Sequence, residues 1–201
     1  MKTFTSRKRN IGLAAGALWL IAISFVFVAW SLLAIGTLTS IYVLVVTFVL
    51  LCILVVTGVL VIRATLDLPK NIAQPTPEEK LIGRRFALVV SVEVIAFAVV
   101  NLFIGLTRKF ELIPSLNLII VGIHFIPLAK IFRVPRYYIT GLFFCVIPII
   151  TLLAIPKQLI IGQTIAWYVV PSLGCGFVAS LTAVAGLHEA WQSISKIRNA
   201  T

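Results

Sequence analysis

Two ionisable side chains lie in long apolar segments where a charge is costly: Glu93 in RFALVVSVEVIAFAVVNLFIGL and His124 in LNLIIVGIHFIPLAKIF. A charged group at the centre of a bilayer costs about 2.5–3.5 kcal/mol on insertion scales, so such residues are typical of functional sites. Histidine changes its charge between about pH 5 and 8, and a neighbouring carboxylate can set that change. The two residue types together could therefore bind and release a proton.

The spacing of these residues predicts that they meet. Glu93 lies eight residues, about 12 Å, from Arg85, and His124 lies six residues, about 9 Å, from Lys130. If the two segments are antiparallel neighbours joined by a short outer connection, Glu93 and His124 have nearly equal depths. A contact between them would lower the cost of burying each side chain.

Two amides extend the same predicted face, Asn101 eight residues after Glu93 and Asn117 seven residues before His124. A functional interpretation makes the four side chains a substrate or proton site, whereas a structural one makes them interhelical hydrogen bonds. We favour the structural role for the two asparagines. For Glu93 with His124 we favour function, because an ionisable pair costs more than amides would for the same packing role.

The elements that carry these residues are membrane spans, because 61% of the residues are apolar and only 11% are charged. About 20 apolar residues cross the hydrocarbon core as a helix. The sequence predicts an all-α polytopic membrane protein, a single bundle over residues 1–201 with a loop at 63–85. Its six transmembrane helices are expected at about 11–35, 40–62, 86–106, 115–132, 137–155 and 159–187.

The basic residues predict the orientation. Fourteen of the 17 Lys and Arg side chains fall on the side of both termini, and only Arg108, Lys109 and Lys157 fall on the other. Short cytoplasmic loops collect positive charge, so we expect three antiparallel hairpins with both termini inside the cell. The expected partners are the lipid bilayer and its anionic headgroups. The basic residues are scattered without interleaved aromatics, so no nucleic-acid partner is expected.

The loop at 63–85 contains a helix start signal. Thr76, Pro77 and Glu79 have the spacing of a capping box with proline at the first helical position. The third helix is therefore predicted to begin near Pro77 and to extend beyond the membrane.

The sixth span contains a group of residues that could form a pocket or a kink. Pro171, followed by Gly174 and Gly176, could loosen the helix and free carbonyl groups for a solute. The alternative, which we favour, is close helix packing with a proline bend. Gln163 and Trp167 could line an outer vestibule, although an interfacial anchor is the commoner role of tryptophan.

Other chemistry has little support in the sequence. Cys52, Cys145 and Cys175 lie inside spans without metal-ligand spacing, so neither a metal site nor another cofactor is expected. The G-x-S-x-G, H-E-x-x-H and Walker A motifs are absent, and no catalytic residue is assigned. Gly12 and Gly16 have the spacing of a helix dimer contact, so a homo-oligomer stays open.

Residues 122–141, GIHFIPLAKIFRVPRYYITG, resemble a segment of small uncharacterised bacterial multi-pass membrane proteins with the pattern G-x-H-F-x-P-L-A-x-x-F. The resemblance places His124 and Pro127 in the matching segment, without implying an activity. The expected location of the protein is the cell membrane, as a multi-pass protein of the bacterial inner membrane. Pro127 could bend the fourth helix beside the histidine.

The interpretation that we adopt is a small transporter or channel-like protein with a titratable site at Glu93 and His124. Two alternatives stay open. The first is a membrane-embedded enzyme that acts on a lipid-soluble substrate, and the second is a structural or accessory subunit without transport activity.

Overall fold

Six long helices account for almost all of the structure, a computed structural model that describes residues 6–36, 38–66 and 77–198. Each is long and apolar enough to cross a membrane, which confirms the predicted all-α polytopic class. The helices are α1 Ser6–Ile35, α2 Leu38–Leu66, α3 Pro77–Thr107, α4 Ile113–Phe132, α5 Arg136–Ala154 and α6 Ala166–Arg198.

The connections between the later helices are short and well defined. A single 3-10 turn, Phe110–Leu112, leads into α4. Arg133 ends α4 in the left-handed conformation, and the Val134 amide donates to the Ala129 carbonyl at 3.1 Å. Pro135 then occupies the N-cap position of α5, where its fixed φ is compatible with a helix start. These turns place α4 and α5 directly beside each other.

The start of the sixth span differs from the prediction. Instead of a helix from residue 159, the chain forms an antiparallel pair of two-residue strands, β1 Ile160–Ile161 and β2 Thr164–Ile165, and α6 begins only at Ala166. Gly162 adopts a φ of 64° in the tight turn between the strands, which glycine tolerates without steric cost. The isoleucines that suggested a span are β-branched residues of this β-hairpin.

The third helix begins at Pro77, which matches the expected position. The capping interactions proposed for Thr76 fall outside the described residues, and so do residues 67–76 of the predicted loop at 63–85.

The most extensive helix interface joins the first and last helices rather than sequence neighbours. The Ser24 hydroxyl of α1 donates to the Gly176 carbonyl of α6 at 2.7 Å and also contacts the Ser180 hydroxyl. A Cβ atom at Gly176 would lie 2.7 Å from a methyl group of Val28. Small residues therefore allow α1 and α6 to approach closely.

The helix that carries His124 is fixed by a second close interface, between α4 and α5. A Cβ atom at Gly122 would lie 2.8 Å from the Gly141 carbonyl oxygen, and one at Gly141 would lie 2.6 Å from the Gly122 carbonyl oxygen. The two backbones are thus in direct contact at this point. His124 lies only two residues from the contact, so α5 holds the histidine's backbone in place.

The helix that carries Glu93 lies at the edge of the bundle. Within the described residues, α3 packs mainly along α4 and the 3-10 turn. Only 6% of the α3 span is buried inside the protein, compared with 50% of the α6 span. The side chains shared with α4 therefore provide most of the attachment of α3 to the rest of the bundle.

One end of the bundle is held together by its connections. Gly162 of the β-hairpin packs directly on the Ile35 carbonyl, and the Gln163 side chain lies against Gly36 in the α1–α2 turn. Lys157 pairs with Glu111 of the 3-10 turn at 2.6 Å. We call this the hairpin end. Its assignment to the outer side of the membrane stays a prediction.

Candidate functional site

The structure brings Glu93 and His124 together across α3 and α4. The carboxylate oxygen Oε2 of Glu93 lies 3.1 Å from Nδ1 of His124, and the side chains are 18% and 12% exposed. Both residues lie within candidate membrane spans. The sequence spacing predicts matching depths for Glu93 and His124 in their helices. Because α3 and α4 pack side by side in opposite directions, the equal depths bring the two side chains into contact.

The Glu93 carboxylate does not lie in the direction in which Nδ1 of His124 would form a good hydrogen bond. Nδ1 of His124 is buried and has no hydrogen-bond partner of acceptable geometry, although the carboxylate is close. The imidazole also approaches the backbone of Val89, one turn from Glu93. A buried polar atom without a proper partner costs about 1–3 kcal/mol. The contact between Glu93 and His124 is therefore mainly electrostatic and not a well-directed hydrogen bond.

The two predicted amides form a second pair between the same helices. The Asn101 side-chain amide donates to Oδ1 of Asn117 at 3.0 Å, and the Asn117 amide donates back to Oδ1 of Asn101 at 3.3 Å. Asn101 also donates to the Phe97 carbonyl of its own helix at 2.8 Å. Each side-chain amide therefore hydrogen-bonds the other across the helix interface. This arrangement agrees with the structural role favoured for the two asparagines.

These pairs belong to a line of contacts that we call the α3–α4 seam, formed by Phe86, Glu93 and Asn101 on α3 and by Asn117, His124 and Phe132 on α4. At one end of the seam the rings of Phe86 and Phe132 meet edge to face, with centroids 5.7 Å apart. Because α3 is peripheral, the seam lies at the side of the bundle rather than on its axis.

The candidate residues around the sixth-span proline lie away from the seam and make packing contacts. Pro171 and Gly176 are buried, and a Cβ atom at Gly174 would lie 3.1 Å from Ile147. The Gly176 carbonyl accepts the hydroxyl of Ser24, so it takes part in the α1–α6 interface. These contacts agree with the close packing that we favoured, and α6 stays helical through Pro171.

Three other predicted residues are placed differently. Trp167 donates from Nε1 to the Ile155 carbonyl at 2.9 Å, which ties α6 to the end of α5, whereas Gln163 is exposed in the β-hairpin. Pro127 lies inside a continuous α4 and removes the amide that would bond the Ile123 carbonyl, next to His124.

A further polar cluster, not predicted from the sequence, lies between α5 and α6 at the end opposite the hairpin end. Arg136 forms an ion pair with Glu189 and lies 5.8 Å from the ring of Tyr137. The Thr140 and Thr182 hydroxyls are 2.7 Å apart one turn further along. The sequence signal was the matching depth of Arg136, at the start of one helix, and Glu189, near the end of the next.

His188 does not join the α3–α4 seam. Its Nε2 lies 2.8 Å from the Gln192 side chain on the exposed face of α6. Glu93 and His124 therefore remain a two-residue ionisable site. Within the described ranges, no group of three His, Cys, Asp or Glu side chains is placed to hold a metal ion.

No family model, curated protein or solved structure matches the chain. The resemblance of the segment around His124 to bacterial multi-pass proteins therefore stays a prediction, and the functional interpretation depends on the site itself.

Proposed function

We propose that the protein is a small membrane transporter in which Glu93 and His124 bind and release the proton that couples to solute movement. The observation that carries the proposal is the 3.1 Å contact between two ionisable side chains inside adjacent membrane spans. Ionisable residues at such positions are rare, and proton relays and substrate pathways are their usual settings.

The charge of the site changes with its protonation. An ionised Glu93 beside a neutral imidazole gives a net charge of −1, one proton neutralises the pair, and a second makes it positive. Charge is poorly screened in a low-dielectric environment, so the charge of a bound solute and the number of bound protons are coupled. This coupling is the physical requirement for proton-linked transport.

The seam is also suited to movement. The α1, α4, α5 and α6 helices share close interfaces, whereas α3 is attached mainly along α4. Separation of α3 from α4 therefore disturbs few contacts outside the seam. The Glu93–His124 pair lies within the interface that would open, so its protonation state would change the free energy of that movement.

The proposal is tested by flux measurements in liposomes that contain a trapped pH-sensitive dye. A panel of small amines, carboxylic acids and neutral solutes is added outside, and the internal pH and solute uptake are followed. We expect the parent protein to produce a solute-dependent pH change. Glu93→Gln and His124→Ala should each reduce that change at least tenfold, because each removes one partner of the titratable pair.

Glu111→Gln is the matched control, because it removes a carboxylate that pairs with exposed Lys157 outside the seam. This variant should retain parental flux. Equal flux in the parent, Glu93→Gln and His124→Ala would contradict the proposal, as would parental flux no greater than that of protein-free liposomes.

The exposure of α3 supports a second candidate, an accessory membrane subunit that uses the polar pairs only to hold α3 in place. Under this alternative, Glu93→Gln would lower the melting temperature without any flux being lost, because the parent would have none. Flux and melting temperature measured on the same preparations therefore separate the two functions.

A further inference from the structure

We infer that the ligand of the α3–α4 seam is an amphipathic organic cation that reaches Glu93 laterally from the lipid. The inference rests on the proposed function and adds a substrate class and an entry route to it. It is carried by the lateral position of the seam, the net charge of the site, and the apolar surroundings of the carboxylate.

The entry route follows from the exposure of the seam. Val92 and Val94, the sequence neighbours of Glu93, are both 59% exposed, and Ile123, the neighbour of His124, is 57% exposed. These apolar side chains face the surroundings of the bundle, which are lipid for residues within membrane spans. The Glu93 side chain between them is itself 18% exposed, so a molecule dissolved in the bilayer reaches the carboxylate without crossing the packed interior.

The charge of the site selects a cation. An ionised Glu93 with a neutral His124 carries −1, so a bound monovalent cation makes the complex neutral, whereas an anion would leave an uncompensated charge in hydrocarbon. Along their own helices, Arg85 of α3 lies about 12 Å from Glu93, and Lys130 of α4 lies about 9 Å from His124. Neither replaces the ligand as a direct partner of Glu93.

The surroundings of Glu93 select an organic cation over a metal ion. Hard metal cations take six or more oxygen ligands, and the seam offers one carboxylate beside an imidazole. Between Glu93 and Asn101 the α3 face contains Phe97, one turn from the carboxylate, and an aromatic face attracts organic cations. About 12 Å of largely apolar seam separates the two polar pairs, which suits a ligand with apolar groups around its charge.

The ligand and the proton then compete for one carboxylate. When the site holds a proton, Glu93 is neutralised as the carboxylic acid or by the imidazolium of His124. Binding of the cation releases that proton to water, and rebinding of the proton expels the cation. One cation is exchanged for one proton, which gives the coupling that the transport proposal requires.

The test uses two probes of the same shape and opposite charge, tetraphenylphosphonium and tetraphenylborate, with the full-length protein in lipid nanodiscs. Equilibrium dialysis measures the binding of each. We expect Glu93-dependent binding of the phosphonium only, weakened at least tenfold in Glu93→Gln and retained in Glu93→Asp and Glu111→Gln. Its apparent Kd should rise by up to about tenfold per unit as the pH falls, because one proton excludes one cation.

Phosphonium binding that is equal in the parent and Glu93→Gln would overturn the inference, and so would borate binding that depends on Glu93. An unchanged circular dichroism spectrum of Glu93→Gln, together with retained binding by Glu93→Asp, would show that the loss of binding does not result from unfolding. If liposome flux requires Glu93 but the phosphonium does not bind, the ligand class is wrong and the transport proposal stands. If the phosphonium binds at Glu93 without any flux, transport fails and the cation site stands.

Discussion

The contact between Gly122 and Gly141 makes a quantitative prediction about how His124 is held. In Gly141→Ala the new Cβ atom would lie 2.6 Å from the Gly122 carbonyl oxygen, whereas ordinary contacts begin at 3.4 Å. The α4 and α5 backbones must therefore separate by about 0.8 Å, because a carbonyl group cannot rotate away as a flexible side chain can. Overpacking of this kind costs about 1–3 kcal/mol.

For a chain of this size each kcal/mol corresponds to about 2–4 °C in melting temperature, so Gly141→Ala should melt roughly 2 to 12 °C below the parent. The assay is thermal unfolding of the purified protein in detergent, followed by the loss of the monodisperse species. Gly105→Ala is the matched control, since nothing lies within 4 Å of a Cβ atom at that position. It should melt at or slightly above the parental temperature, because alanine favours helix over glycine.

A melting temperature for Gly141→Ala that is equal to that of Gly105→Ala would refute the reasoning. It would mean that α4 and α5 can move apart without cost. In that case the position of His124 would not depend on the close approach of the two helices.

Two further predictions concern the polar contacts between helices. The effects of Asn101→Ala and Asn117→Ala on the free energy of unfolding, measured by thermal unfolding, should be less than additive. The coupling energy between the two residues should be about 0.6 and at most about 1.7 kcal/mol. Glu93-dependent flux should persist in both variants. Additive effects would show that the amides do not act as a pair. Ser24→Ala should lower the free energy of unfolding by about 0.5–1.5 kcal/mol, because the Ser24 hydroxyl donates to the Gly176 carbonyl of α6. The loss should be smaller for Ser91→Ala, because the exposed Ser91 hydroxyl donates to the Ala87 carbonyl of its own helix. Equal losses in thermal unfolding would contradict the assigned role of Ser24.

The arrangement of the candidate site could be anticipated from the sequence because α3 and α4 are joined by a short connection. Antiparallel packing and the rise of 1.5 Å per residue then place Glu93 near His124 and Asn101 near Asn117. The off-axis geometry of His124 could not be anticipated, since it depends on side-chain rotamers and on the approach of the helices. The functional role of the site stays a prediction.

The parts of the fold that the sequence did not reveal depend on distant residues or on local turns. The α1–α6 interface joins Ser24 to Gly176, and its only sequence signal is a series of small residues that also occurs by chance. The sequence did not reveal the β-hairpin at 160–165, because its isoleucines raise the local hydropathy equally in a strand and in a membrane span. The two-residue Gly162–Gln163 turn between β-branched residues was the signal that could have revealed it.

The peripheral position of α3 also has a consequence for how the chain assembles during biosynthesis. Most of the α3 surface already faces the surroundings of the bundle, so this helix can leave the translocon and remain in lipid before its neighbours are complete. Glu93 adds a cost of about 2.5–3.5 kcal/mol to that early state, and the arrival of His124 on α4 relieves part of it. The polar pairs would then form within the bilayer as a late docking step, after the individual spans have been inserted.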